Sequence, residues 1–311
     1  MPDQPAQHMQ CMEVWGGSQL TSRCVEFGGL DAWVYSKPFG AAHAGGDVYY
    51  ASSCATGRIS RLLLADVAGH GQTVAATAAD LRTLMRRFVN RLDQTEFVRL
   101  LNQQFAVLPR TGAFATAIVT TFFEPTRRLT VCNAGHPRPL LYRAAQRHWD
   151  FLGTQDAAKR AAPSNIPLGL YDAAEYEQFD IELESGDCLL SYTDALIESR
   201  DADGEMLGED GLLKITRLVG DVEPEKLIAT LLAEIEARYP ENLSEDDVTV
   251  LVVRANGRRL RHPFIERLRA FRRFTKALVS GDHAPFPDAK IANVGGAFIP
   301  ALARFWRAKR R

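Results

Sequence analysis

The chain has 311 residues, 46% of them hydrophobic, and a formal net charge of −1 at pH 7. This length and composition are ample for one large or two small domains with a buried core. The charge is unevenly distributed, because residues 254–311 hold 15 Lys and Arg against 3 Asp and Glu, whereas residues 1–253 hold 22 against 35. We therefore expect the C-terminal segment to be a separate unit.

Local features argue against a secreted or membrane-spanning protein. The N-terminus lacks the apolar core of a signal peptide, and the uncharged run 291–303 has only 13 residues against the ~20 that span a bilayer. The cysteines are odd in number and lack CxxC spacing, as expected of thiols in a reducing cytosol. They are Cys11, Cys24, Cys54, Cys132 and Cys188. We predict a cytoplasmic protein and leave open a peripheral position at the inner membrane.

The first 44 residues place aromatic side chains among glycines, at Trp15, Phe27, Trp33 and Tyr35. We predict that this stretch packs on the following domain as irregular structure or as an edge strand.

Two β-favouring runs, residues 47–52 and 60–66, flank a turn at 55–58 and predict a hairpin. Pairing across that turn would bring Asp47 beside Asp66. Carboxylates held so close must share a proton or bind a cation, and Mg²⁺ or Mn²⁺ suits oxygen ligands. Glycines beside both aspartates would leave room for water and a phosphate. The alternative is that both aspartates are turn or helix-cap residues.

Two helices follow this hairpin. Apolar residues from Val74 to Leu92 recur at spacings of three and four, which predicts one helix with a single buried stripe. Asp93 and Glu96 form a capping-box pattern for a second helix, which Pro109 ends. A further helix is predicted from Pro224 to the region of Pro240.

The remaining strands end or begin at acidic residues. Residues 115–123 and 129–133 predict a hairpin, and further strands are expected at 179–183, 187–192 and from 248 onward. Asp194 follows one strand, and Asp246 lies in the acidic cluster that precedes another. If these carboxylates converge with Asp47 and Asp66, the economical interpretation is a site for two divalent metal ions.

Six short blocks occur in the order and spacing of a known family. They are GGD at 45–47, ADVAGHG at 65–71, NAGHP at 133–137, PLG at 167–169, SYTDA at 191–195 and DDVT at 246–249. Over residues 40 to 254 the chain resembles the bacterial SpoIIE-like phosphatases, which belong to the metal-dependent serine/threonine protein phosphatases of the PPM superfamily.

The resemblance implies an α+β fold, a two-sheet antiparallel β-sandwich flanked by helices in αββα layers. Its expected parts are a lead-in at 1–39, the phosphatase domain at 40–254 and a basic helical extension at 255–311. It also implies two Mn²⁺ or Mg²⁺ ions. Asp66 would bridge them, the Val67 carbonyl would be a ligand, Asp194 and Asp246 would hold one ion, and Asp47 would act on the other directly or through water.

The activity implied is hydrolysis of phosphoserine or phosphothreonine in a protein by a metal-bridged water. The expected substrate is a phosphorylated regulator of the anti-sigma-factor antagonist type, in a bacterial partner-switch pathway. Catalytic roles would fall to Asp66, Asp47 and His70. The eukaryotic-type branch has a candidate acid, His, where this chain has Ala68, so the general acid is unassigned and His70 is one candidate. His136 fits either a turn or a catalytic role.

The sequence leaves alternatives open for the partner of the C-terminal tail and for the function of the protein. Apolar residues Phe264, Leu268, Phe271 and Leu278 lie at helical spacing among arginines after Pro263, which predicts a basic amphipathic helix. It could contact an anionic membrane through residues 258–311, the acidic body of this protein or a partner, whereas no nucleic acid is expected. The alternative function is a weak or inactive phosphatase-fold module that sequesters a regulator, tethered by the tail. The sequence leaves the oligomeric state open.

Overall fold

The structure, a computed structural model, describes residues 7–8, 14–40, 42–53, 57–69, 72–89, 91, 93–108, 113–153, 165–221 and 223–258. His70, Gly71 and the helix predicted after Pro263 lie outside the described residues. The predicted basic extension and the predicted boundaries at residues 39/40 and 254/255 therefore stay predictions.

The described residues form thirteen strands, five α-helices and a short 3-10 helix at Glu124–Thr126. The strands are β1 Gln7–His8, β2 Val14–Gly17, β3 Thr21–Glu26, β4 Leu30–Lys37, β5 Asp47–Ser53, β6 Ile59–Val67, β7 Ala115–Phe123, β8 Arg128–Ala134, β9 Leu140–Arg143, β10 His148–Phe151, β11 Gln178–Glu182, β12 Cys188–Tyr192 and β13 Val248–Ala255. The helices are α1 Gln72–Phe88, α2 Gln94–Ala106, α3 Ala195–Glu198, α4 Gly208–Val219 and α5 Pro224–Glu236.

Two sheets face each other. One has the order β1-β3-β4-β13-β12-β9-β10 and the other β11-β8-β7-β6-β5-β2. Among the described strands only β1 and β3 pair in parallel. Helices α1 and α2 pack against the six-stranded sheet, and α4 and α5 against the seven-stranded one. The predicted αββα sandwich is confirmed.

The central strands are apolar on both faces because both faces are covered. In β6, Leu62 and Leu64 point into the core between the sheets, whereas Leu63 and Ala65 point toward α1 and α2. Side chains alternate between faces along a strand, so such a strand appears in the sequence as an unbroken apolar run. None of the helices in the described ranges is long and apolar enough to cross a membrane.

The predicted hairpins and helix starts agree with the structure. Strands β5 and β6 pair with Asp47 opposite Asp66, as predicted. Asp93 caps α2, because its side chain accepts hydrogen bonds from the backbone N–H groups of Thr95 and Glu96 at 3.0 and 3.2 Å. The first helix ends at Phe88, earlier than the apolar stripe indicated.

The prediction for the N-terminal stretch was wrong for residues 30–37. They form β4, an inner strand that pairs with β13 over all eight residues and with β3 on its other side. Of the glycines taken as a sign of irregular structure, Gly16 and Gly17 belong to β2. Gly29 lies in the turn between β3 and β4, where it has φ +79° and the Phe27 N–H donates to the Leu30 carbonyl.

Arg61 links the connection between α1 and α2 to the six-stranded sheet through hydrogen bonds. Its side chain on β6 is 3% exposed and donates to the carbonyls of Val89 and Arg91, at 2.9 and 2.7 Å, and to the Thr121 hydroxyl at 3.0 Å. The guanidinium also lies over the Phe97 ring, 4.5 Å from its centroid.

We expect Arg61→Met to lower the free energy of unfolding by about 3 kcal/mol, because one buried and one partly buried carbonyl would lose these donors. Urea denaturation followed by circular dichroism measures this change. Arg127→Met is the matched control, since Arg127 is exposed on a turn and should change stability by less than about 0.5 kcal/mol. Equal effects of the two substitutions would contradict this role of Arg61.

Candidate metal centre

Asp47 and Asp66 lie side by side at one end of the core. They are directly opposite each other on β5 and β6. Because alternate residues share a face, Asp47 continues the inward row of Tyr49, and Asp66 continues that of Leu64. The apolar core between the sheets therefore ends in two carboxylates.

The facing sheet ends in a layer of buried hydroxyl groups. Thr193 donates from Oγ1 to Oδ2 of Asp47 at 2.9 Å, and its Oγ1 accepts the N–H of Thr249 at 3.0 Å. The Thr249 hydroxyl lies 2.9 Å from that of Ser36 on β4. These three side chains are 0 to 1% exposed. Sequence reasoning missed this layer, although the period of two along β13 places Thr249 on the same face as Leu251.

The environment of the paired aspartates disfavours their negative charge. Burial, followed by the charge of Asp66, raises the pKa of Asp47 well above its usual range, while hydrogen bonds from Thr249 and Thr193 oppose the rise. Burial also raises the pKa of Asp66 to about 8, with further contributions from the charges of Asp194 and Asp246. Negative charges therefore repel one another at the acidic edge, defined here as Asp47, Asp66, Asp194 and Asp246.

Asp194 and Asp246 reach this edge from the seven-stranded sheet. Asp194 follows β12 at the start of α3, and burial together with the charge of Glu198 raises its pKa. Asp246 lies two residues before β13 and accepts the N–H of Asp247 at 2.7 Å. Both are near enough to Asp66 to raise its pKa. The charge of Glu198, one turn after Asp194, raises the pKa of both Asp66 and Asp194. This contribution was not predicted from the sequence.

Asp247 has a structural position that the sequence did not indicate. Its carboxylate is 3% exposed and accepts the N–H groups of Phe39 and Gly46, each at 2.6 Å. A Cβ on Gly45 would lie 2.2 Å from Oδ1 of Asp247, and one on Gly46 would lie 2.8 Å from the Val67 carbonyl oxygen. Protein atoms fill the space beside these glycines, so the prediction that they leave room for a phosphate was wrong. They instead permit close approach of Asp247 and Val67.

His136 belongs to a turn beside β8. The amide of Asn133 closes this turn by accepting the His136 N–H at 2.7 Å and donating to the His136 carbonyl at 2.8 Å. Nδ1 lies 2.8 Å from the Thr116 hydroxyl on β7. Burial lowers the pKa of the imidazole to about 3, so it is neutral at physiological pH. These contacts support the turn role rather than proton donation.

The predicted ligands can be tested for their fit to a divalent ion. In the described part of the chain, no three Asp, Glu, His or Cys side chains form a group that could hold an ion by themselves. The acidic edge nevertheless offers oxygen donors that raise each other's pKa, together with the Val67 carbonyl at the Gly46 contact. Mg²⁺ keeps several waters and needs only one or two carboxylates. The donor set therefore fits a hydrated hard ion.

Comparison with known proteins identifies the family. A model of the family described as Stage II sporulation protein E (SpoIIE) matches residues 57–256. The chain therefore belongs to the SpoIIE family.

Solved structures have the same fold. The RsbU and RsbW domains of Rv1364c from Mycobacterium tuberculosis match with a TM-score of 0.59 and 23% identity, covering 85% of this chain and 72% of that one. The PP2C phosphatase domain with a regulatory fragment of SpoIIE from Bacillus subtilis gives 0.57 and 16%, covering 79% and 64%. RsbX in complex with magnesium gives 0.53 and 16%, covering 75% and 99%. The fold is therefore that of the PP2C-type phosphatases.

The raised pKa of Asp66 predicts how pH changes the stability of the metal-free protein. Since this pKa rises from 3.8 to about 8 on folding, the folded state binds more protons than the unfolded chain between these pH values. Stability should therefore fall as pH rises through this window. We expect the thermal midpoint of chelator-treated protein to be lower at pH 8 than at pH 5.

Asp66→Asn should remove much of that decrease and raise the midpoint at pH 8 by several degrees, as calorimetry can measure. Asp150→Asn is the control, because the Asp150 side chain is 68% exposed. A steeper decline in Asp66→Asn than in the wild type would contradict the assignment.

Proposed function

We propose that this protein is a Mn²⁺- or Mg²⁺-dependent phosphatase that hydrolyses phosphoserine or phosphothreonine in a regulatory protein. The observation that supports this most strongly is the meeting of Asp47 and Asp66 at the edge where Asp194 and Asp246 also arrive. Buried carboxylates that raise each other's pKa are typical of functional sites, and oxygen donors select hard divalent ions.

The residues of the acidic edge would divide the metal ligation. Asp66 would bridge two ions and the Val67 carbonyl would add a ligand. Asp194 and Asp246 would hold one ion, and Asp47 would act on the other, directly or through water. When bound, such ions supply positive charge for phosphate oxygens and acidify a water molecule.

Other residues of the chain would position these ligands. The Thr193 hydroxyl orients the carboxylate of Asp47, and it is itself fixed by the backbone of β13. Asp247 binds the N–H of Gly46 and so fixes the start of β5, one residue before Asp47. The site would therefore be held by strand ends rather than by loops, which favours precise geometry.

Hydrolysis also requires a proton for the leaving oxygen. Ala68 carries no titratable group, and His136 is neutral and hydrogen-bonded in its turn. We propose His70 as the candidate acid because it lies four residues beyond Asp66 in the sequence. A second possible source of the proton is water bound at the site.

We further propose that the substrate is a phosphorylated regulator of the anti-sigma-factor antagonist type. Family membership supports this choice, as does the RsbU- and RsbW-containing protein among the structures with this fold. Purified protein assayed against phosphorylated regulators from the same genome would identify the substrate.

Asp66→Asn tests the catalytic proposal. We expect it to lower kcat/KM for p-nitrophenyl phosphate with Mn²⁺ by at least ~100-fold, because it would remove the bridging charge. Circular dichroism should show an unchanged fold. Asp150→Asn serves as the control and should keep wild-type activity. Full activity of Asp66→Asn with added Mn²⁺ would contradict the proposed mechanism.

A second candidate is a binding module that uses the phosphatase fold to sequester a regulator. One observation favours this candidate: in the part of the chain that the structure describes, no three side chains form a group able to hold an ion unaided. Incubating the protein with an equal amount of phosphorylated regulator and Mn²⁺ separates the two candidates. The phosphatase releases phosphate, whereas the module forms a complex in which the phosphate stays on the regulator.

A further inference from the structure

A large groove lies on the outer face of the seven-stranded sheet. Its volume is about 1270 Å³, with α5 as one wall and the outer faces of β3 and β4 as the floor. Along β4 the groove extends from Tyr35 to Asp31, and on β13 it includes Arg254. Pairing of β4 with β13 places Asp31 opposite Arg254, whereas Lys37 pairs with Val248 near Asp246. The groove therefore opens toward the sheet end opposite the acidic edge.

The floor of the groove carries two aromatic side chains among polar ones. Trp33 and Tyr35 are partly buried side chains that pack beside the core under α4 and α5. Cys24 lies opposite Trp33 in the sheet, and Ile228 and Leu232 of α5 close the side. Such a surface suits the apolar face of a helix.

The rim of the groove is acidic. Its lining contains five acidic side chains and three arginines. Two arginines are paired within the lining, Arg254 with Glu223 at 2.5 Å and Arg258 with Glu26 at 3.4 Å. Asp31 on the sheet and the exposed Glu225 and Glu236 on α5 add further negative charge. Glu225 and Glu236 lie 11 residues apart, which places them on the same side of the helix. The groove can therefore attract a basic partner.

A basic segment follows in the sequence directly after the last described residue, which lines this groove. Arg258, the last residue of the final described range, lines the groove and pairs with Glu26. Residues 259–278 contain seven Lys and Arg against one Glu. The four residues 259–262 can span about 14 Å, and a helix over 263–278 would be about 24 Å long against about 20 Å for α5. The linker 259–262 is thus long enough to reach along the groove, and a helix over 263–278 would be similar in length to the α5 wall.

We propose that residues 263–278 dock in this groove as an amphipathic helix. Phe264, Leu268 and Phe271 would face the floor at Trp33 and Tyr35, and the arginines would face the acidic rim. Docking would bury the apolar stripe of the segment against its own protein. It would also bring the positive charges of the segment beside the negative charges of the rim.

Hydrogen exchange of the full chain tests the docking. The variant Glu225→Lys/Glu236→Lys reverses two rim charges at exposed helix positions. We expect amides of residues 263–278 to exchange at least about tenfold faster in this variant than in the wild type. The matched control is Glu175→Lys/Glu234→Lys, which makes the same charge change at exposed positions outside the groove lining. Glu234 lies about 180° around α5 from Glu225. The control should exchange like the wild type.

Cross-linking tests the orientation independently. Thr275 shares the helical face of Phe264, Leu268 and Phe271, whereas Arg273 lies on the opposite face. With Ala229→Cys in the groove wall, a short bismaleimide should join Thr275→Cys far more efficiently than Arg273→Cys within one chain, as mass spectrometry can identify. Equal yields for the two positions would overturn the proposed orientation.

Four results of the exchange experiment would overturn the docking. The amides of 263–278 could exchange at the unprotected rate in the wild type, or they could be protected equally in both double variants. Protection that arises only with phosphatidylglycerol vesicles would assign the segment to a membrane instead. Protection that grows with protein concentration would assign it to a second copy of the chain.

Discussion

The structure depends on the confinement of two carboxylates, Asp47 and Asp66, opposite each other at the end of a buried core. Their position follows from the pairing of β5 with β6, and neither can move away without breaking that register. Burial raises the pKa values of both aspartates, and neighbouring negative charges add to the rise, from Asp66 at Asp47 and from Asp194 and Asp246 at Asp66. A cation relieves this repulsion, and the remaining features of the site are consistent with one.

Both sheets of the sandwich build the edge. The six-stranded sheet supplies Asp47 and Asp66, and the seven-stranded sheet supplies Asp194, Asp246 and the hydroxyl layer. Gly45 lets the two sheets approach, because the Asp247 carboxylate fills the space where its side chain would stand, and Gly46 allows the Val67 carbonyl of the six-stranded sheet to come close. The close approach of β5 to β13 thus couples the core packing to the geometry of the proposed metal ligands.

Sequence patterns predicted the local pairings better than the long-range ones. The β5–β6 hairpin, the Asp93 cap and the hairpin of β7 and β8 follow from turn residues and from apolar periods within a few residues. The inner position of β4 was missed because it depends on β13, which lies more than 200 residues away in the sequence. The local hairpin of β3 and β4 was missed as well. Strands β11 and β12 are neighbours in the sequence but belong to different sheets, which no local pattern can indicate.

The contrast between local and long-range contacts applies to the acidic edge as well. Four strand-end aspartates were visible in the sequence, whereas the buried hydroxyls of Thr193 and Thr249 and the position of Asp247 depend on contacts between the sheets. The outer groove is also a product of assembly, since α5, β3 and β4 come from opposite ends of the domain. Sequence reasoning identified the basic tail but could not choose among its partners.

Calorimetric titration of the full chain with Mn²⁺ shows whether the acidic edge holds metal, because it measures ion binding apart from catalysis. We expect saturable binding of two ions per chain in the wild type, a marked loss in Asp66→Asn and Asp194→Asn, and no change in Asp150→Asn. Absence of binding by the wild type, or binding unchanged by removal of Asp66, would contradict the proposed metal site.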